Sequence, residues 1–444
     1  MQIYGFTIKT KNLTIRETKI SFAAEVDIEQ VLIELELEGN ELIGHAHISD
    51  GSMPIVMTKK NAQKTSASES TNTSSTIVAS QALENRKKLQ KDLCTGIEAA
   101  EKFHTFYYGW YGNPESNKKF IGWNSAVIPH KVETTWNDTP PYQGGDNIAS
   151  NYYPQLGNYS STDPEVIKTH MQQIREAGIG AVAISWWGKE HFTNESVPAL
   201  LDAAHRYGLK IIFHLEPFYE TIEKFRTQLA YISENYNQHP AIYRFNGLPI
   251  YYLYNSFKLD HAEWFSLMNP NSRTTIRNTA LDGIFISLWT TQYDGEFTVR
   301  SGFDGFYTYF AGDGFAYGST TKNWHNLSQF AQDNNLIYVP CVGPGYLDTR
   351  VRPWNAKNIH NRDGGVYYEE MMINAVKTNP DFIGITSFNE WFEGTQIEPA
   401  VPKAISTYTY EDYGKDTDPL FYIQKTKELI TKYVKITSQK SNKQ

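Results

Sequence analysis

Apolar and polar residues alternate along the first 56 positions, as in Ile33-Glu34-Leu35-Glu36-Leu37. Glu38-Gly39-Asn40 then separates that run from Leu42-Ile43-Gly44-His45-Ala46-His47-Ile48. Period-two alternation broken by such a turn predicts a β-hairpin. Some fifty residues of strand are marginal alone, so residues 1–57 are expected as a small N-terminal β-rich extension, either docked on the main domain or incomplete. Residues 58–80 are rich in Lys, Ser, Thr and Asn with almost no apolar content, which predicts a flexible linker. A helical charge pattern over 81–102 leads into the remainder.

From residue 103 the pattern changes. Eight short apolar, aromatic or β-branched runs follow, at 103–110, 181–187, 210–217, 248–254, 283–290, 303–310, 336–342 and 382–388. Helical patterns lie between several of them. The stretch 163–178 has Asp163 as a cap, Pro164 in the first turn and Gly178 at its end. Residues 197–208, 221–238 and 324–335 read as further helices. Strand–helix alternation implies a parallel sheet, and eight strands imply closure. The predicted fold class is α/β, a single (β/α)8 TIM barrel over 103–435, with 436–444 expected as a disordered tail.

Active sites in such barrels form at the C-terminal ends of the strands. The first run ends near Tyr108 and Trp110, the second at Trp187, the third at Glu216, the fourth at Tyr254 and the sixth at Tyr309. The seventh leads to Tyr346 and Arg352, and the eighth delivers Glu390 and Glu393 with Trp391 between them. Two close acids read most simply as a solvated loop or a helix N-terminus, where Glu is favourable. The strand before them and the tryptophan between them favour burial instead. Buried neighbours raise each other's ionisation cost, which lets one carboxyl stay protonated beside a charged partner. Paired acids beside aromatic platforms suit glycoside hydrolysis, in which one acid protonates the leaving oxygen and the other assists at the anomeric carbon. Glu216 is placed either for substrate hydroxyls or for an internal arginine. His214, two residues before it, reads as a hydrogen-bonded core residue more readily than as a metal ligand.

Composition narrows the alternatives. Aromatic residues make up 14% of the 444 residues, with 29 Tyr and 10 Trp, which fits sugar-stacking surfaces or a large aromatic core about equally. A formal net charge of −8 argues against a nucleic-acid partner. The two cysteines, Cys94 and Cys341, make neither a disulfide framework nor a metal cluster. HExxH, GxSxG, P-loop and GxGxxG sequences are lacking in suitable contexts, so no metal or cofactor is expected. No run of eighteen apolar residues encodes a membrane span, and residues 1–9 carry no signal-peptide apolar region. Six glycosylation sequons, among them Asn158 and Asn194, are weak evidence for secretion.

Several motifs in order carry a resemblance to glycoside hydrolase family 99, the endo-α-1,2-mannosidases and mannanases. They are 106–113 with Pro114, Tyr153-Pro154, Tyr159-Ser160-Ser161, Asp163-Pro164 and His170-Met171-Gln172-Gln173-Ile174. Ser185-Trp186-Trp187, 213–217, 301–310, 342–352 with Pro353-Trp354-Asn355, and 386–401 follow. The resemblance spans roughly 103–435. It implies a retaining, endo-acting barrel enzyme on mannose-containing oligosaccharides or N-glycans, with Glu393 as general acid/base. Glu390 is implied to take a proton from the sugar 2-hydroxyl, giving a 1,2-anhydro sugar, where the ordinary retaining scheme would make it a nucleophile. Tyr108, Trp110, Trp187, Glu216, Tyr254, Tyr309, Tyr346, Arg352 and Trp391 are the expected substrate-binding residues. Vertebrate members of the family act in the Golgi, so a Golgi or secretory location is implied, although this sequence shows no N-terminal anchor. Phe392 stands where the family usually has His, which leaves open a catalytically impaired carbohydrate-binding barrel. A hydrolase of another α-glycan is a further alternative. Trp187 lies at a position associated with the sugar beyond the cleaved mannose.

Overall fold

The computed structural model describes residues 2–3, 6–7, 10–16, 19–26, 29–38, 41–48, 51–58, 99–128, 142–217, 219–414 and 418–441. It falls into two units, Met1–Asn72 and Thr73–Gln444. In the first, the strands Thr10–Arg16, Lys19–Val26, Glu29–Glu38, Glu41–Ile48 and Gly51–Thr58 pair antiparallel, each with its chain neighbours. Glu38 lies opposite Glu41 in the register of the third and fourth, the pair read as a hairpin in the sequence. The linker expected at 58–80 and the lead-in helix at 81–102 lie outside the described residues, apart from Thr58 and a 3₁₀ turn at Ala99–Lys102.

The second unit is the barrel. Its strands are β1 (Phe103–Tyr108), β2 (Ala181–Trp186), β3 (Lys210–Leu215), β4 (Leu248–Leu253), β5 (Ile284–Leu288) and β6 (Gly305–Tyr307). Strand β7 comes in two pieces, Ile337–Val339 and Cys341–Val342, and β8 is Ile383–Ile385. All neighbouring pairs are parallel. The first piece of β7 pairs with β6 and the second with β8, so the ring closes through a break at Pro340, which has no N–H to donate.

A helix of eight residues or more follows each strand: α1 (Pro164–Glu176), α2 (Val197–Arg206), α3 (Ile222–Asn235), α4 (His261–Met268), α5 (Asp294–Ser301), α6 (Trp324–Asn334), α7 (Val366–Lys377) and α8 (Phe421–Ser441). The caps are those the sequence offers. Asp163 accepts from the Glu165 amide with Pro164 in the first turn, and Asp260 with Glu263 forms a full capping box on α4. Helix α8 runs to Ser441, so residues 436–441, expected as disordered tail, are helical. No helix among the described residues is long and apolar enough to cross a membrane.

Much of the aromatic content packs the barrel interior. Phe106 meets His214, Tyr252 and Tyr307 at ring distances of 5.0, 5.6 and 5.7 Å, and all four are buried. Gly384 on β8 makes room for this layer, because a Cβ there would meet the Cys341 sulfur at 2.5 Å and Phe106 at 3.2 Å. Below it, His104 Nδ1 bonds the Tyr252 hydroxyl at 2.6 Å. The opposite end of the barrel, where the strands terminate, holds the acids.

Candidate active site

After β8 the chain doubles back over 387–398. The Ser387 amide donates to the Thr395 carbonyl and the Ile397 amide to the Ser387 carbonyl, each at 2.9 Å. Asn389 is pinned to β1 by two bonds: its side chain accepts from the Tyr108 amide at 2.7 Å and donates to the Tyr108 carbonyl at 2.9 Å. From outside, the Leu347 amide holds the Glu393 carbonyl at 2.8 Å, and buried Arg362 donates to the Gly394 and Gln396 carbonyls at 2.9 and 2.8 Å. Gly394 itself has φ +61, and a Cβ there would run into the Leu347 carbonyl. A loop tied at so many points presents its side chains in a fixed geometry.

Glu390 is 3% exposed. Its Oε1 accepts from the Phe392 amide at 3.2 Å, while its Oε2 is buried without a partner among the described residues. Burial first, and the Glu393 charge second, hold the Glu390 carboxyl well above the usual carboxylate range. Glu393 is also raised by burial, but the Arg352 guanidinium, 3.6 Å from its Oε1, pulls the other way. The third acid, Glu216, accepts from Ser185 Oγ at 2.8 Å and lies 3.3 Å from His214 Nδ1. Burial pushes its carboxyl up to about 8. Among the described residues no arginine pairs with Glu216, so the internal-arginine alternative falls away. His214 bonds the Tyr307 hydroxyl at 2.8 Å and is pushed down to about 3 by burial, so its ring is neutral.

Around the acids stands an aromatic wall. The Tyr108 and Tyr309 hydroxyls bond each other, and Tyr254 packs edge-on to Tyr309 at 5.3 Å. Burial and then the surrounding carboxylates raise the Tyr108 hydroxyl, which lies in the field of Glu390, Glu216 and Glu393. Trp110 packs on Tyr108 at 4.6 Å and reaches Trp187 at 6.5 Å. Both indole N–H groups are buried without a hydrogen-bond partner among the described residues. Tyr346 donates to Asp348 at 2.8 Å, and Arg352 bridges Asp348 and Glu393.

Trp391 is different. It is fully buried and points to the rear of the loop, donating to Glu398 Oε2 at 2.9 Å and to the Tyr159 hydroxyl at 3.2 Å. The expectation of a sugar-facing ring at Trp391 is therefore corrected: it is a structural residue behind the acids. Phe392 takes the exposed side instead, half-buried and stacked on Trp110 at 5.8 Å with 22° between planes. It packs against Trp110 and, at 5.7 Å, Tyr111, on the side of the aromatic wall.

Sequence reasoning passed over Asp348, Arg362, Asn389 and the pair His170–Glu398. His170 on α1 bonds Glu398 Oε1 at 3.1 Å and the Tyr107 hydroxyl at 3.1 Å, joining helix, strand and loop beneath the acids. Glu398 stands in the same acidic run as Glu390, the one signal available. The sequon at Asn194 is occupied by structure: its side-chain nitrogen donates to the Lys189 carbonyl and the Tyr231 hydroxyl.

A closed parallel barrel with three clustered acids, two of them buried, and an aromatic wall at its strand ends is the framework of a carbohydrate-cleaving enzyme, a glycoside hydrolase. Comparison with known proteins sharpens this. Residues 99–435 match glycosyl hydrolase family 99. The glycoprotein endo-alpha-1,2-mannosidase of Mus musculus is 43% identical over 346 residues, covering 75% of each chain. The glycoprotein endo-alpha-1,2-mannosidase-like protein of Homo sapiens is 39% identical over 350 residues, covering 75% of this chain and 76% of its own. The solved GH99 endo-alpha-mannosidase from Bacteroides thetaiotaomicron superposes with a TM-score of 0.73 at 38% identity, over 77% of this chain and 100% of that one. The chain belongs to glycosyl hydrolase family 99.

Proposed function

We propose that this enzyme cuts internal α-1,2-mannosidic linkages in mannose-containing oligosaccharides, including N-glycans, with retention of configuration. The observation that carries the reading is the Glu390/Glu393 pair: a buried acid and a partly buried one on one clamped loop, beside the Arg352 guanidinium, with one oxygen of Glu390 unpartnered among the described residues. The linkage is supported by the relatives, whose names specify endo-alpha-1,2-mannosidase.

Glu393 gives its proton to the glycosidic oxygen as that bond to the anomeric carbon breaks. Glu390 takes the proton of the 2-hydroxyl, and that oxygen closes on the anomeric carbon to form a 1,2-anhydro sugar. Water then opens the ring, giving one proton to Glu393 while Glu390 returns its own to the 2-oxygen. The two inversions give net retention. Tyr108, Trp110, Trp187, Tyr254 and Tyr309 hold the sugars, and Glu216 bonds a hydroxyl. Tyr346 and Arg352 border the leaving group. A secretory or Golgi location is compatible with relatives named glycoprotein endo-alpha-1,2-mannosidase.

Glu393→Gln tests the acid: turnover on an α-1,2-linked mannan should fall by about 10²–10⁴, and full activity would refute the assignment. A covalent glycosyl ester trapped on Glu390 would replace the anhydro sugar with a nucleophilic mechanism. A protein that retains a glucosylated mannose glycan but releases no oligosaccharide would establish the binding-only alternative, for which Phe392 in the wall is the supporting observation. Comparing α-mannan with α-glucan substrates tests the sugar class.

A further inference from the structure

Asp348, on the loop after β7, is fully buried although it lies close to an acid of the same sign, Glu393. Its Oδ2 collects three donors: the Tyr346 hydroxyl at 2.8 Å, Asn355 Nδ2 at 2.9 Å and Arg352 Nη1 at 3.2 Å. The same Nη1 is 3.6 Å from Glu393 Oε1, too long for a hydrogen bond. Backbone bonds fix this arrangement. The Arg352 amide donates to the Asp348 carbonyl at 2.7 Å, and the next residue back, Leu347, holds the Glu393 carbonyl. Asp348 Oδ1 is buried with no partner among the described residues. A buried carboxylate kept only for the fold ordinarily has both oxygens bonded.

We propose that Asp348 is a positioning residue for the acid step: it holds Arg352 back from full contact with Glu393, so that Glu393 keeps its proton until the glycosidic oxygen takes it. The inference rests on the reading of Glu393 as the acid. A guanidinium in direct contact with a carboxylate favours the charged form, which is the wrong form for an acid. Asp348 opposes this twice, by dividing the guanidinium and by adding a like charge beside Glu393. The other groups facing Glu393 are Glu390 on its own loop, Glu216 from β3, Tyr254 from β4, Tyr309 from β6, Tyr108 from β1 and Tyr346 from the β7 loop. Of the two cationic or anionic partners that bear on Glu393 from the β7 loop, Arg352 and Asp348 act with opposite sign.

The test is the pH profile of kcat/KM on an α-1,2-linked mannan, whose alkaline limb reports loss of the acid's proton. Asp348→Asn should move that limb to lower pH by about 1 pH unit or more, and Arg352→Gln should move it to higher pH by a similar amount. Opposite shifts are not produced by loosened packing, and the arginine variant keeps the test valid where Asp348→Asn fails to fold. A uniform loss of activity with an unmoved limb, or a limb displaced upward in Asp348→Asn, overturns the inference. Glu393→Gln separates the two readings: if it is fully active the acid assignment itself fails. If it is inactive while the Asp348 and Arg352 limbs stay put, only the role of Asp348 fails.

Discussion

Replacing Glu216 by Gln should make the barrel more stable at neutral and alkaline pH while impairing its action on sugars. Glu216 is 4% exposed and its carboxyl sits at about 8, against 4.5 for the free group, with burial the largest cause and the Glu393 charge adding to it. The folded state therefore holds this proton more tightly than the unfolded chain does. Its contribution to stability is fully present below pH 4.5 and is lost as pH rises towards 8, where unfolding releases the strain of a buried charge. Every tenfold difference in proton affinity between the two states is worth about 1.4 kcal/mol, so the loss between those two pH values approaches ~5 kcal/mol. Gln has nearly the same shape, still accepts from Ser185 Oγ and carries no charge, so the variant lacks this pH dependence. Urea-unfolding midpoints measured from about pH 5 to about pH 8.5 on both proteins give the difference directly. The two should nearly coincide at the acid end and separate by several kcal/mol at the alkaline end, with the variant above. Parallel curves, or a variant weaker than the parent under alkaline conditions, would refute the account of Glu216 as a destabilised acid.

Two further substitutions probe the loop. Trp391→Phe removes the indole donor to buried Glu398 and should lower stability by about 2–3 kcal/mol, read as a reduced melting temperature, with KM unchanged. A raised KM at unchanged stability would return that ring to the sugar site. Gly394→Ala forces a Cβ at φ +61 against the Leu347 carbonyl, a strain of about 1–3 kcal/mol on the peptide after Glu393. Turnover should fall with little change in KM, and wild-type kinetics would show that the clamp is dispensable.

The barrel is legible in the sequence because each strand is a short apolar run and barrel strands are buried on both faces. The break in β7 is less so: 336–342 reads as one run, and only the missing N–H of Pro340 divides it. Helices α4 and α5 are eight residues each, too short for a clear period, although the Asp260/Glu263 box marks the start of α4. Acids at strand ends can be located from the barrel rule alone. Side-chain direction on an irregular loop cannot, since 387–398 has neither a 2.0 nor a 3.6 period to say which face each residue takes. Sequence alone therefore sends Trp391 to the sugar and leaves Phe392 undecided. Asp348 and the His170–Glu398 pair are hidden for another reason. Their meaning lies in contacts between distant segments, 228 residues apart for His170 and Glu398, which no local pattern encodes.

The arrangement of charge in the free site bears on how the proposed reaction begins. Burial raises both loop acids, the charge of Glu393 raises Glu390 further, and Arg352 restrains both. The two acids therefore compete for one proton, which the proposed mechanism needs on Glu393. Substrate supplies the missing bias. A 2-hydroxyl donating to Glu390 stabilises that group as a carboxylate, and a glycosidic oxygen beside Glu393 can only accept, which stabilises the protonated form there. The neutral His214 and the protonated Glu216 below them add no charge that would oppose the exchange at neutral pH. In the proposed mechanism, binding sorts the proton as well as the sugar, and a ligand with both oxygens in place completes the acid–base pair. The unpartnered Glu390 oxygen and the divided guanidinium are what such a site requires before its ligand arrives: one acceptor kept free for the 2-hydroxyl, and one acid held short of a full ion pair.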